Sequence, residues 1–174
     1  ADDLPTLLAL DSLGLTYIEQ PFAAEDYEAL ADLAEALETP VALDESVCGA
    51  EDLALVVALG AADIVNVKPA RVGGYAAAAA LAMSIADAGL GAFVGGMLET
   101  GVGRAGALAL AAQDAFRLPA DLGPSSRYFD DDVTEPIEMV EPGYLAVPDG
   151  PGIGVTPRPE RLAELVVATH SMSP

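Results

Sequence analysis

The sequence is poor in positive charge. Lys68 is its only lysine, six arginines complete the basic residues, and 28 acids oppose them for a net charge of −21. This balance argues against nucleic acid and anionic membrane as partners, because both require basic patches. Cys48 is the single cysteine, so no disulfide forms within the sequence, and a reducing cytoplasmic setting is expected. No basic start followed by an apolar stretch opens the sequence, so no signal peptide is expected. The most apolar run, Ala76 to Ala82, is too short and too rich in alanine to span a bilayer.

Apolar material is abundant. Hydrophobic residues make up 52% of the sequence, and the acids are dispersed among periodic apolar segments, unlike a disordered acidic tail. Short apolar runs alternate with helical patterns. Helices are expected over Asp3–Leu13, Asp26–Glu38, about Glu51–Leu59, from Gly73 and Gly74 to about Ala88, and over about Gly103–Ala115. Ser46 or Gly49 precedes the third of these, and Gly60 closes its C-terminus. Strands are expected over 15–19, 41–44, 63–68 and 91–95, with Leu118–Leu122 as a fifth. The fold class read from this alternation is α/β with a parallel sheet, whose strands are apolar throughout because both faces are covered. The sequence divides into a βα portion, 1–122, and a proline- and glycine-rich tail, 123–174. The tail is expected to wrap around, with a hairpin over Ile137–Val147 and a last helix from Pro159 to Ala168.

The polar residues at the strand ends are in phase. Glu19 ends the first run, Asp44 the second and Lys68 the third, and the gaps are 25 and 24 residues. Each gap is one βα unit, so the three groups share the C-terminal end of adjacent parallel strands, where α/β folds carry their sites. Glu99 follows Lys68 by 31 residues, beyond the fourth strand. Two carboxylates on neighbouring strand ends suit a hard cation such as Mg²⁺, with Mn²⁺ as a substitute. A lysine beside that metal, partly buried, has its ammonium form disfavoured and serves as an acid/base or charge-stabilising group. A lone acid at a strand end is usually solvated or caps a helix. Three polar groups in phase weigh against that reading for Glu19, Asp44 and Lys68.

The segments YIEQP, ALDES, IVNVKPARVGG, GGMLETGVGRA and LPADLGPSSRYF, in this order, resemble the o-succinylbenzoate synthase / N-acylamino acid racemase family of the enolase superfamily. The resemblance runs over about residues 1–157. It implies the C-terminal portion of a (β/α)7β TIM-like barrel, about five βα units plus the β-like tail. It implies Mg²⁺ held by Glu19 and Asp44 as the second and third acids of a three-acid set. It makes Lys68 the catalytic lysine that stabilises an enediolate in the synthase or exchanges the second proton in the racemase. Gly96, Met97 and Leu98 are implied to line the pocket of a small carboxylate substrate, and Tyr128 reaches it from the last loop.

Other parts of the family pattern have no counterpart. The first metal-binding Asp, the K-x-K base, the first barrel strands and the N-terminal capping domain are absent from this sequence. The expectation is therefore an incomplete part of a lyase, inactive alone, that needs a missing N-terminal half or a partner chain; homo-oligomers fit as well. The synthase reaction is the first reading, a syn-dehydration in menaquinone biosynthesis. The alternatives are N-acylamino acid racemisation, another superfamily racemase or cycloisomerase, and a non-catalytic half-barrel acting as an interaction module.

Several residues keep two readings. Glu99 supports the site or caps the following helix, and Glu45 is expected to support Asp44 from the next position. Asn66 shares a face with Lys68, either beside the site or as a buried hydrogen-bonded amide. Gly95 and Gly96 admit substrate or make a turn. Arg71 contacts a carboxylate bidentately or forms a structural ion pair. Asp121 is read as a cap, Cys48 as an inert small hydrophobe, His170 as exposed, and Asp130 to Asp132 as a solvated turn.

Overall fold

The computed structural model describes residues 3–171. Contacts gather them into two compact units, one formed by the residues up to Gly95 with Gln113–Asp121, the other by Gly96–Ala112 with the residues from Leu122 on. The helix that follows the fourth strand therefore groups with the tail.

The first unit is a parallel sheet with helices between its strands. In chain order it contains α1 (Leu4–Asp11), β1 (Ile18–Glu19), α2 (Tyr27–Ala36), β2 (Val41–Leu43), α3 (Ala50–Leu59), β3 (Ile64–Val67), α4 (Pro69–Val72), α5 (Tyr75–Asp87) and β4 (Gly91–Val94). The strand order is β1-β2-β3-β4, all pairs parallel, with Glu19 opposite Ala42 and Leu43 opposite Val65. Every residue of β2 and β3 is buried, as expected of strands covered on both faces. Ala42, Ile64 and Phe93 form one core cluster, joined by Tyr17 and Leu118, and the Tyr17 and Phe93 rings stack at 5.4 Å between centroids. Burial of the Ile64 and Phe93 side chains contributes roughly 1.5–3 kcal/mol each.

Local chemistry sets the element ends. Asp26 caps α2 by accepting from Ala29 N at 3.3 Å, and the helix buries Leu30 and Leu33 on one face. Gly49 precedes α3, and Gly60 ends it in the left-handed region at φ +66°, which glycine adopts without a Cβ penalty. Asp11 at the end of α1 accepts from Thr39 N at 2.8 Å and Glu38 N at 3.2 Å, which fixes the turn before β2.

One strand expectation is corrected. The fifth strand over 118–122 is not formed: a single bridge joins Gly95 and Asp121. Pro119 has no N–H to give a ladder. The region between β3 and α5 also contains α4, a four-residue helix opened by Pro69, for which the sequence reading names no element.

The second unit is built on α6 (Gly101–Ala111). Ala105, Leu108 and Ile137 form its core cluster, with Leu122, Leu145 and Val155 packed against them. The expected hairpin is present as β5 (Met139–Glu141) paired with β6 (Tyr144–Leu145), turning at Gly143 with φ +84°. The last helix, α7 (Pro159–Leu165), has no buried residue. Asp132 is buried, not solvated as expected. Its carboxylate accepts from Gly101 N at 2.7 Å and from Val133 N at 2.6 Å. It thus serves the start of α6, whose own Thr100 makes no side-chain cap, and satisfies one of the orphan donors there.

Candidate active site

Glu19 is the last residue of β1, Asp44 directly follows β2 and Lys68 directly follows β3. The parallel register sets the three strand ends side by side, so residues about 25 apart in sequence become neighbours in space. Pro69 holds Lys68 in extended backbone at φ −111°, as a following proline requires, and starts the turn of helix that carries Arg71.

Asp44, Lys68 and Arg71 are linked by charge. Lys68 Nζ lies 2.6 Å from Asp44 Oδ2. Arg71 Nη1 donates to the other Asp44 oxygen, Oδ1, and to the Asp44 carbonyl at 2.9 Å. These side chains are nearly enclosed, with relative exposures of 8% for Asp44, 13% for Lys68 and 18% for Arg71. Burial pushes the Asp44 carboxyl up, but the hydrogen bonds from Arg71 and Lys68 outweigh it and hold the group below the ordinary carboxylate value. Of the two readings of Arg71, an ion pair with Asp44 is what forms.

Asn66 is buried, and its Nδ2 donates to Glu19 Oε1 at 2.7 Å. Asn66 is thus a buried hydrogen-bonded amide whose partner is Glu19. Its Oδ1 is buried with no protein partner. Gly95 makes room for this arrangement. A Cβ there would overlap the Asn66 amide and come within 2.7 Å of Lys68 Cε. Glu45 is exposed, and its carbonyl accepts from Cys48 Sγ at 3.5 Å. Cys48 is exposed rather than packed.

The donor set fits a hard divalent cation in kind. It offers two carboxylates on adjacent strands, one of them exposed Glu19 with Asn66 on a single oxygen. Among the described residues no group of three or more potential ligands comes together. One or two carboxylates completed by water and substrate oxygens suffice for Mg²⁺. Lys68 and Arg71 both hold the Asp44 carboxylate, so a cation at Asp44 competes with both.

The second unit has its own cluster. Arg104 on α6 is fully buried; its Nη2 donates to Met97 O at 3.2 Å and its Nη1 lies 3.6 Å from Glu99 Oε2. The Tyr128 ring faces this guanidinium at 5.8 Å. Burial raises the Glu99 carboxyl above its ordinary value, opposed by the Arg104 charge and the Met97 backbone. Met97 and Leu98 are exposed beside it, Leu98 at 77%, and Gly96 is half-buried.

The sequence reading singles out neither Gln20 nor Arg104. Arg104 carries a detectable signal: it is one arginine inside the small-residue helix GVGRAGALALA, where a charge requires a partner. Gln20 carries none.

Comparison with known proteins agrees with this geometry. A family model described as enolase C-terminal domain-like matches residues 1–161. An N-succinylamino acid racemase of Amycolatopsis sp is 46% identical over 95% of this chain and 45% of its own length. An o-succinylbenzoate synthase of Geobacillus stearothermophilus is 43% identical over 87% of this chain and 40% of its own. A solved structure described as a probable mandelate racemase from Alicyclobacillus acidocaldarius superposes with a TM-score of 0.89 at 44% identity, covering 96% of this chain and 44% of that one. The chain thus spans less than half the length of the relatives it matches. With the matched family model covering 1–161 and the site residues in register at the ends of a parallel sheet, the chain belongs to the enolase C-terminal domain-like family.

Proposed function

We propose that the chain carries part of a Mg²⁺-dependent site that removes the proton α to a carboxylate. The first reading of the reaction is the syn-dehydration that forms o-succinylbenzoate in menaquinone biosynthesis, in a reducing cytoplasm. The observation that supports it is Lys68 held 2.6 Å from Asp44, at the ends of the same three strands that bring Asn66 to Glu19.

Mg²⁺, when bound, supplies a Lewis acid that makes the α-proton of the substrate more acidic. Glu19 and Asp44 would hold it. Asn66 orients the Glu19 carboxylate by a hydrogen bond. Lys68 presents a positive charge from Nζ, where negative charge develops on the substrate carboxylate as the α-proton leaves. In the dehydration, the base that takes the α-proton delivers it to the hydroxide departing from the neighbouring carbon, which leaves as water, and the ring becomes aromatic. The sequence has one lysine and so contains no K-x-K segment to take the first proton.

Racemisation of N-succinylamino acids is the second reading, supported by the relatives of that name at 46% and 44% identity. In it Lys68 Nζ returns a proton to the opposite face of the same carbon.

The test combines this chain with a separately produced N-terminal portion of a relative. With Mg²⁺ present, o-succinylbenzoate formation is followed by absorbance and N-succinylamino acid racemisation by polarimetry. Turnover by the combination alone, abolished by Lys68→Met, is expected. A folded combination without turnover, or turnover indifferent to Lys68→Met, overturns the reading and leaves the non-catalytic module.

A further inference from the structure

Gln20 stands immediately after Glu19, and among the described residues it is the one non-glycine with positive φ, at +40°. Glutamine gains nothing in the left-handed region, and a following proline restricts its backbone further. A residue keeps such a conformation only where its surroundings over-determine it.

The surroundings are hydrogen bonds. The Gln20 backbone N donates to Ala42 O at 2.9 Å. Its Oε1 accepts from Asp44 N at 2.9 Å and from Ser46 N at 3.3 Å. Its Nε2 donates to Ser46 Oγ at 2.8 Å and to Phe22 O at 3.1 Å. The amide therefore uses its full capacity of two donors and two acceptor lone pairs. Three of the four bonds reach the turn that follows β2, and Asp44 and Ser46 are both buried there. Lys68 and Arg71 hold the Asp44 carboxylate and Asn66 holds that of Glu19, while the Gln20 amide fixes the backbones that carry them.

We propose that Gln20 is the positioning residue of the Glu19–Asp44 pair: its amide staples the end of β1 to the turn after β2, and so sets the spacing at which the two carboxylates meet a divalent cation. The inference rests on the metal reading of those two acids. Residues that orient metal ligands through hydrogen bonds typically change affinity about 10–100-fold when replaced.

The experiment measures Mn²⁺ affinity of the full chain by electron paramagnetic resonance of the free ion, with amide hydrogen exchange on the same samples. Gln20→Met keeps the bulk and removes the amide; Gln20→Gly also releases the backbone, so folding is not penalised by the left-handed conformation. Glu19→Gln is the control for the metal site. The expected result is that both Gln20 variants bind Mn²⁺ about 10–100-fold more weakly, with exchange protection lost at Asp44 and Ser46 and retained in β3. If the Gln20 variants bind like wild type while Glu19→Gln weakens binding, the positioning role is overturned and the metal site stands. If wild type and Glu19→Gln are indistinguishable, including no binding by either, the metal reading is overturned and this inference falls with it.

Discussion

Lys68 Nζ lies 2.6 Å from Asp44 Oδ2, and the opposite oxygen of the same carboxylate is taken by Arg71. One nearly enclosed anion therefore partners two cations. Removing it is worse than removing either cation. Asp44→Ala leaves Lys68 and Arg71 facing each other uncompensated, and breaking a buried pair from one side costs about 3 kcal/mol. Urea unfolding of Asp44→Ala against Arg71→Met measures this, and the arginine variant is expected to lose less.

Gly95→Ala is expected to disturb the site without replacing any of its polar groups. The added methyl meets the Asn66 amide and comes within 2.7 Å of Lys68 Cε. Overpacking of this kind costs about 1–3 kcal/mol. The melting temperature falls, and the ¹⁵N resonances of the Asn66 amide and the Lys68 ammonium both shift; unshifted resonances would mean that the strand end accommodates the methyl.

Asp132→Ala removes acceptors from Gly101 N and Val133 N at once. Loss of a helix cap costs about 1–2 kcal/mol, and two buried donors left unsatisfied keep the value at the upper end. Asp132→Asn, which retains acceptor oxygen, is expected to recover part of the loss in the same denaturation experiment.

Glu99 predicts a pH dependence. Burial raises its folded-state carboxyl above the ordinary value of 4.5, so the native protein binds this proton more tightly than the unfolded chain does. Its contribution to stability is complete below the unfolded value and is lost as pH rises through the folded one. Carboxyl ¹³C titration should place Glu99 above the exposed glutamates, and Glu99→Gln should flatten that part of the stability profile. Arg104→Met removes the opposing charge and should move Glu99 further up; an unmoved Glu99 would show that the guanidinium does not act on it.

The three strand-end groups were legible because a βα unit repeats at 24 to 25 residues and each strand is a short apolar run ending in a polar side chain. The hairpin was legible from Pro142 and Gly143. Other features leave less trace. Four residues from Pro69 to Val72 are too few to show a helical period. The left-handed turn at Gln20 comes from distant hydrogen bonds to the β2 turn, not from a residue with turn preference. LPADL is apolar enough for a strand, yet Pro119 withholds an N–H. Asp132 sits in a run of three aspartates, and composition does not distinguish the one that turns inward.

That inward turn orders the chain in time. The donor at the start of α6 belongs to Gly101, while its acceptor is 31 residues further on. During synthesis at about 5–20 residues per second, the helix waits roughly 2–6 s for the carboxylate that completes it. Until then the helix start has neither its own cap nor a borrowed one. The tail is thus the closing step of the second unit, and a ribosome that stalls before Asp132 leaves α6 open at its N-terminus.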